Sequence, residues 1–288
     1  MLQYIDFYLL GDLNLLHRVD ASNKVSQMSL SLQWKESFMS GRPQSFDEVE
    51  FRNFSQNGED GLLLYIFSLI KPTNKKVVEI CAGDGIECNA ANLIVHHGWN
   101  GLLFDGDKKN IERGNRFYAR CRDTFSFPPK VVQAWITKDN VNALISDNGF
   151  KGEIDLLSLD LDGNDYWILD AINVVSPRVI ILEYLDAMGP TEAVTIPYKA
   201  DFVCDTSNQL GMEYYGASLP AYAKLLKKRG YRLIGGLSMG LNAVFMRNDV
   251  GIGVFEEADM AQMFRHERIL QRMRTLREKL LERDWINV

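Results

Sequence analysis

Four cysteines and four histidines in 288 residues are little material for a metal centre. Cys81, Cys88, Cys121 and Cys204 form no CxxC pair and do not cluster with the histidines. That spacing excludes the usual zinc patterns and leaves reduced, mostly buried thiols as the expectation. Long apolar runs are missing too. The longest, Leu62 to Ile70, is well short of the ~20 residues that cross a bilayer, so no membrane span is expected. The opening MLQYIDFYLLGDLNLLHR is apolar but has no basic start, and Asp6 and Asp12 interrupt it. It is unlike a signal peptide, and a cytoplasmic protein is expected. Nor is there an excess of positive charge. The formal net charge is -6, with both signs interspersed, which offers no footprint for a phosphate backbone or an anionic membrane. Nucleic acid is not an expected partner. Internal repeats and low-complexity tracts are absent as well.

What remains is ordinary globular composition, 46% hydrophobic and 24% charged, enough for a sizeable core. From about Lys75, short β-rich runs alternate with helical patterns, which predicts an α/β fold with a mostly parallel sheet. Five strands are expected, at Val77 to Ile80, Gly101 to Asp105, Lys130 to Ile136, Ile154 to Asp160 and Arg178 to Glu183. Helices should begin near Glu87, Lys108, Lys138 and Asn164. An irregular stretch, Tyr184 to about Gly216, is too long for a plain connection and reads as a lid or binding segment. A helix from Leu219 to Arg229 then leads through YRLIGG, LSMG and LNAVFMR into an antiparallel hairpin that closes a seven-stranded Rossmann-like sheet. Residues 1–50 read as a helical arm, 51–250 as the main domain and 251–288 as a C-terminal helix. In that last run Met260, Met263, Phe264, Ile269 and Leu270 recur roughly as one helical face. Packing on its own domain is one reading of that face, and a homo-oligomer contact through the terminal helices is the other.

The segment VVEICAGDGIECN puts Glu79 at the end of the first strand and a tight turn, Gly83-Asp84-Gly85, before a helix. Glycine there lets a ligand approach the backbone, although a tight turn needs glycine with or without one. Asp105 ends the second strand where Rossmann-like folds hold a ribose diol, and Asp107 is the better candidate for a helix cap. No third glycine follows Gly85, a departure from the dinucleotide fingerprint that favours S-adenosylmethionine over NAD.

The fourth strand runs into LLSLDLDGNDYW, with Asp160 and Asp162 on one side of the chain, and the fifth ends in Glu183 and Tyr184. Ligands of open α/β sheets sit beyond the carboxyl ends of the strands, so these acids should face the crevice. Asp160, Asp162 and Glu183 are therefore candidate catalytic residues. One of them could act as general base, or the three could hold Mg2+ or another divalent cation. The plain alternative is a turn and helix cap over Asp162 to Asp165. His96 and His97, at the end of a helix, read as structural.

These segments resemble the FkbM-like and broader class I methyltransferases over roughly Phe54 to Arg247. The resemblance rests on SQNGEDGLL, VVEICAGDGIECN, GLLFDGD, IDLLSLDLDGNDYWIL, GASL, GYRLIG and NAVFMR. It implies that Glu79, Gly83 and Gly85 surround the methionine part of S-adenosylmethionine, Asp105 the ribose, and Ala134 and Trp135 the adenine. It also implies that Gln56 and Glu59 close over the cofactor. The segment around them otherwise reads as a helix start with Ser55 as N-cap. Cys81 stands where many relatives have glycine, and Leu185 where related sequences have asparagine. Members are O-methyltransferases of sugars, glycans or natural products, which implies a small-molecule or glycan acceptor. The competing class is a non-catalytic nucleotide or S-adenosylmethionine module whose arms mediate assembly.

Overall fold

A computed structural model describes residues 13–288, with the side chains of 13–21 and of Gln209 left aside. The expectation for the first twelve residues lies outside the described residues. Seven strands make the main sheet: β1 (Lys76–Ile80), β2 (Asn100–Asp105), β3 (Lys130–Gln133), β4 (Gly152–Leu159), β5 (Val175–Glu183), β7 (Tyr231–Gly236) and β8 (Asn242–Arg247). Their order is β3-β2-β1-β4-β5-β8-β7. The first five run parallel, and the β7–β8 hairpin joins β5 antiparallel. A short strand, β6 (Val194–Thr195), pairs outside this sheet with β9 (Ile286–Asn287).

Alternation along the strands sends side chains into two apolar layers. Val78, Ile80, Leu157 and Ile180 face one layer, shared with helices at Val141–Asp147, Asp165–Ala171 and Leu219–Lys228. Val77, Leu103, Leu156 and Ile181 face the other. Helices α1 (Leu13–Met39), α2 (Glu59–Ile70), α3 (Ala91–His97) and α4 (Lys108–Tyr118) contribute to that second layer. Both faces of the sheet are therefore covered, as parallel strands require.

Four expectations need correction. Of the thiols only Cys88 is buried, with Cys81 exposed and Cys121 and Cys204 half-buried. The third strand ends at Gln133 rather than Ile136, because the Trp135 indole turns out to donate to the Ala200 carbonyl, 2.8 Å away. Ser55 is not the N-cap of α2, which is Gly58. Its hydroxyl instead accepts from the Asp60 amide, and Asp60 Oδ2 accepts from the amides of Asn53, Phe54 and Ser55. The C-terminal run is two pieces, a 3-10 turn at Met260–Phe264 and helix α5 (Glu267–Leu281), divided where the His266 ring caps the helix by accepting from the Arg268 amide. Helix α5 packs on its own domain. Arg268 and Arg272 both pair with buried Asp186, and Arg272 also grips Glu213.

Candidate active site at the carboxyl edge of the sheet

The strand register builds this site. Asp105 lies beside Gln133 across β2 and β3, and Glu183 lies beside Asn242 across β5 and β8. Glu79 pairs with both Leu103 and Ser158, and Ser158 with Ile181. Two residues further along, on the same face by the pleat, Cys81 therefore falls between Asp105 and Asp160, and Asp160 beside Glu183. Gln133, Asp105, Cys81, Asp160, Glu183 and Asn242 form one lateral row over the strand ends. Such a row of polar groups across six strands is a poor way to finish an apolar layer and a good way to line a binding crevice.

The loops around the row are held under tension. Three of the five non-glycine residues with positive φ among the described residues border it: Cys81 at 61°, Asp162 at 52° and Leu241 at 76°. Each such residue costs roughly 1–3 kcal/mol and clusters at functional sites. Gly83 and Gly85 also have positive φ, 58° and 69°. A Cβ on Gly85 would press on Leu103, whereas one on Gly83 would meet nothing within 4 Å. Gly85 serves packing, and Gly83 leaves backbone open to the crevice.

Asp160, Asp162 and Glu183 converge, each offering a carboxylate oxygen within 4.8 Å of the others. Burial pushes the Asp160 carboxyl up, and Asp165 and Asp162 push it further. Burial likewise raises Glu183, with Asp160 next among the causes. Two adjacent carboxyls that resist ionisation hold a proton between them near neutrality. Tyr215 donates to Glu183 Oε1 at 3.2 Å, fixing that side chain. Asp165 has a different role. Its carboxylate accepts from the amides of Leu161 and Gly163 at 2.6 and 2.9 Å and so shapes the loop that carries Asp162.

The other expected residues divide by what they touch. Asp105 accepts from the Asp107 amide and the Asn110 side chain through Oδ1, and Asp107 caps α4 by accepting from the Lys109 amide. Both oxygens of buried Glu79 are spent, on the amides of Asn89 and Ala90 and on the Ser158 hydroxyl. Glu79 thus anchors the start of α3 beneath the crevice. Ala134 continues the sheet by donating its amide to the Asp105 carbonyl, with its side chain against the core. Trp135 is half exposed, with its ring against Gly106. Gln56 is exposed, while Glu59 is buried and accepts from the Asn57 amide and from Asn242 Nδ2.

Two contributors escaped sequence reasoning. Asn242 was visible only as a hairpin residue, yet extending the row across β8 would have found it. Its Oδ1 is buried and has no hydrogen-bond partner. Tyr215 lies in the long irregular segment, where no periodicity marks it. That segment is not loose. Asn164 exchanges hydrogen bonds with the Lys199 backbone, the Trp167 indole donates to the Ile196 carbonyl, and the Phe202 ring lies against Gly163. It therefore roofs the acidic loop.

A cavity of about 260 Å³ opens at the opposite sheet edge, between Asn173, Pro177, Leu226, Arg229 and Tyr231. The Arg229 guanidinium there is spent on the carbonyls of Leu169 and Ile172 and on the Asp170 carboxylate.

The layout is a Rossmann-like, mostly parallel sheet with an antiparallel terminal hairpin. No known family matches the sequence, and no curated protein matches it. Among solved structures, the chain is similar to magnesium protoporphyrin IX methyltransferase from Synechocystis with bound SAM. The identity is 10% and the TM-score 0.36, over 59% of this chain and 69% of that one. It is also similar to a putative O-methyltransferase from Nostoc punctiforme, at 17% identity and TM-score 0.40, over 62% and 52%. A third, PKMT2 from Rickettsia typhi in complex with AdoHcy, gives 12% and 0.41, over 62% and 51%. The chain thus spans about half the length of the last two. No described helix is long and apolar enough to cross a membrane.

Proposed function

We propose that the chain is an S-adenosylmethionine-dependent methyltransferase of the FkbM-like kind, acting on a hydroxyl of a sugar, glycan or other small metabolite. The observation that carries this reading is the row in which Asp105 stands two strands from Asp160 and three from Glu183, with open glycine backbone at Gly83 beside it. The donor set suits the cofactor. Asp105 uses one carboxylate oxygen internally and keeps the other for a ribose hydroxyl. The exposed face of Trp135 suits a nucleobase. Gly83 admits a methionine chain close to the backbone, with Gln56 and Glu59 nearby in the resemblance as closing residues.

When bound, S-adenosylmethionine supplies a methyl group already activated on a sulfonium, so the protein chiefly aligns donor and acceptor. The acceptor hydroxyl must lose a proton. Asp160, with Glu183 beside it and Tyr215 holding Glu183, is the base, because a carboxyl raised toward neutrality takes a proton more effectively than an ordinary one. The Tyr184 to Gly216 roof covers this end of the crevice and would select the acceptor.

A second reading, in which Asp160, Asp162 and Glu183 hold a divalent cation, is favoured by their mutual reach of 4.8 Å and by the unpartnered Asn242 Oδ1 in the same row. A cation there would orient and acidify the hydroxyl. Calorimetric titration with S-adenosylmethionine and S-adenosylhomocysteine, with and without Mg2+, followed by methyl transfer to a panel of hydroxylated acceptors, tests both readings. Binding without transfer would instead support the non-catalytic module, and no binding at all would end the proposal.

A further inference from the structure

Charge that is interspersed along the whole chain is concentrated locally in the connection between β2 and β3. Lys108 to Lys130 contains Lys108, Lys109, Arg113, Arg116, Arg120, Arg122 and Lys130 against only Glu112 and Asp123, a surplus of five positive charges in a chain of net -6. Some of these cations are engaged. Arg113 pairs with Asp84, Lys108 with Glu112, and Lys130 donates to the Asn148 carbonyl. Among the described residues Arg116, Arg120 and Arg122 have no ion pair or side-chain hydrogen bond, and all three are exposed.

Two aromatic rings in the same stretch are largely exposed. Phe127 is 91% exposed and Phe125 61%. They are presented by ordered backbone, because Thr124, Phe125 and Phe127 donate to the carbonyls of Cys121, Cys121 and Thr124, and the Thr124 hydroxyl is bonded to the Tyr118 carbonyl. Lys24 of α1 pairs with Asp123 in this turn at 3.4 Å. One helical turn along from Lys24, on the same side of α1, Met28 is also exposed, as is Val25. Exposed Phe in a stretch with unpaired guanidinium groups, with exposed Met and Val on the adjoining helix, is the composition of a surface that enters the headgroup region of an anionic bilayer. Rings and thioethers go to the acyl boundary, and arginines stay with the phosphates.

We propose that the turn following α4, with the adjoining side of α1, docks the protein on an anionic lipid surface. The turn leads into Lys130, the first residue of β3, so it lies at the sheet edge opposite the acidic row. A docked molecule keeps its crevice open to solvent. The repulsion between the acidic row and an anionic surface is also least in that orientation.

The test is co-sedimentation of the full chain with phosphatidylcholine vesicles and with vesicles containing about one-third phosphatidylserine. Two variants are compared, Phe125→Ser/Phe127→Ser and Arg116→Glu/Arg120→Glu/Arg122→Glu. Partition into anionic vesicles is expected to exceed that into neutral ones by at least about tenfold and to fall at high salt. Each variant should lose about tenfold or more while its circular dichroism and thermal midpoint stay those of the parent. Because none of these residues lies at the crevice, cofactor binding serves as a separate readout. Its failure would count against the methyltransferase reading and not against docking. Absence of sedimentation by the parent, equal partition of parent and variants, or binding to a single-stranded oligonucleotide in place of vesicles would each overturn the proposal.

Discussion

The Asn242 side chain donates to Glu59 Oε1 at 2.7 Å, joining the eighth strand to the start of α2 across 183 residues of sequence. The same Glu59 accepts from the Asn57 amide at 3.0 Å. The pair ties the segment at Ser55 to Asp60 to the end of the acidic row. A buried carboxylate that loses a donor costs about 1–3 kcal/mol. Asn242→Ala is therefore expected to lower stability by that amount, measured by urea unfolding. In a double-mutant cycle with Glu59→Gln the two changes should be sub-additive by ~1 kcal/mol. Strict additivity would show that the contact carries no energy of its own.

Cys81 is a cleaner test of backbone tension, since its φ of 61° places a Cβ where glycine is at ease. Its side chain is exposed toward the crevice, so little packing is lost on removing it. Cys81→Gly is expected to gain about 1 kcal/mol, a rise in Tm of a few degrees for a chain of this size. Cys81→Ala keeps the Cβ and should gain nothing. A fall in Tm for the glycine variant would mean that the thiol makes a contribution larger than the tension.

The fold was largely legible because the periods are regular. The five parallel strands, the helix after Ser218 and the β7–β8 hairpin follow from apolar runs and turn residues placed at ordinary spacing. Asp105, Asp160 and Glu183 could be placed because strand ends of parallel sheets fall in one line. What was not legible depends on long-range partners. Asp60 reads as an ordinary first-turn acid, yet it gathers three amides of the preceding loop. Asp155 looks like an interruption in an apolar strand, yet it pairs with Arg178 at 2.7 Å and accepts from the amides of Thr73, Asn74 and Lys75. Nothing local distinguishes a carboxylate that organises a loop from one that faces a ligand. The break at His266 was hidden for a similar reason, since Met263, Phe264 and Ile269 are buried whether or not one helix carries them.

His97 supplies a pH dependence away from the acidic row. Its Nε2 lies 2.7 Å from Gln27 Oε1 of α1. Burial lowers its pKa to about 4, with His96, Lys75 and Lys24 acting in the same direction. The unfolded chain takes up this proton near pH 6.5, while the folded chain refuses it until about pH 4. Stability contributed by the neutral ring is thus whole above pH 6.5 and is lost as pH falls toward 4. The drop in urea midpoint between pH 7.5 and 4.5 should be smaller in His97→Gln than in the parent. An identical drop would place the acid sensitivity in other groups.

Binding and chemistry should separate along the row. Asp105 is assigned to the ribose, so Asp105→Ala removes a charge-assisted hydrogen bond of about 1.5–3 kcal/mol. The Kd for S-adenosylmethionine should accordingly rise by roughly ten- to a hundredfold. Asp160 is assigned to the acceptor proton. Asp160→Asn should leave that Kd within about twofold and lower kcat by about 10²–10⁴. Burial is the first cause holding Glu183 up and the Asp160 charge the second; the variant removes that charge, so any residual activity should show its acidic limb at lower pH than the parent. Asp165→Asn supplies the contrast, because its carboxylate holds the amides of Leu161 and Gly163. Loss of the loop there should reduce stability and activity together. If Asp160→Asn weakened cofactor binding as much as Asp105→Ala did, the division of the row into a cofactor half and an acceptor half would be wrong.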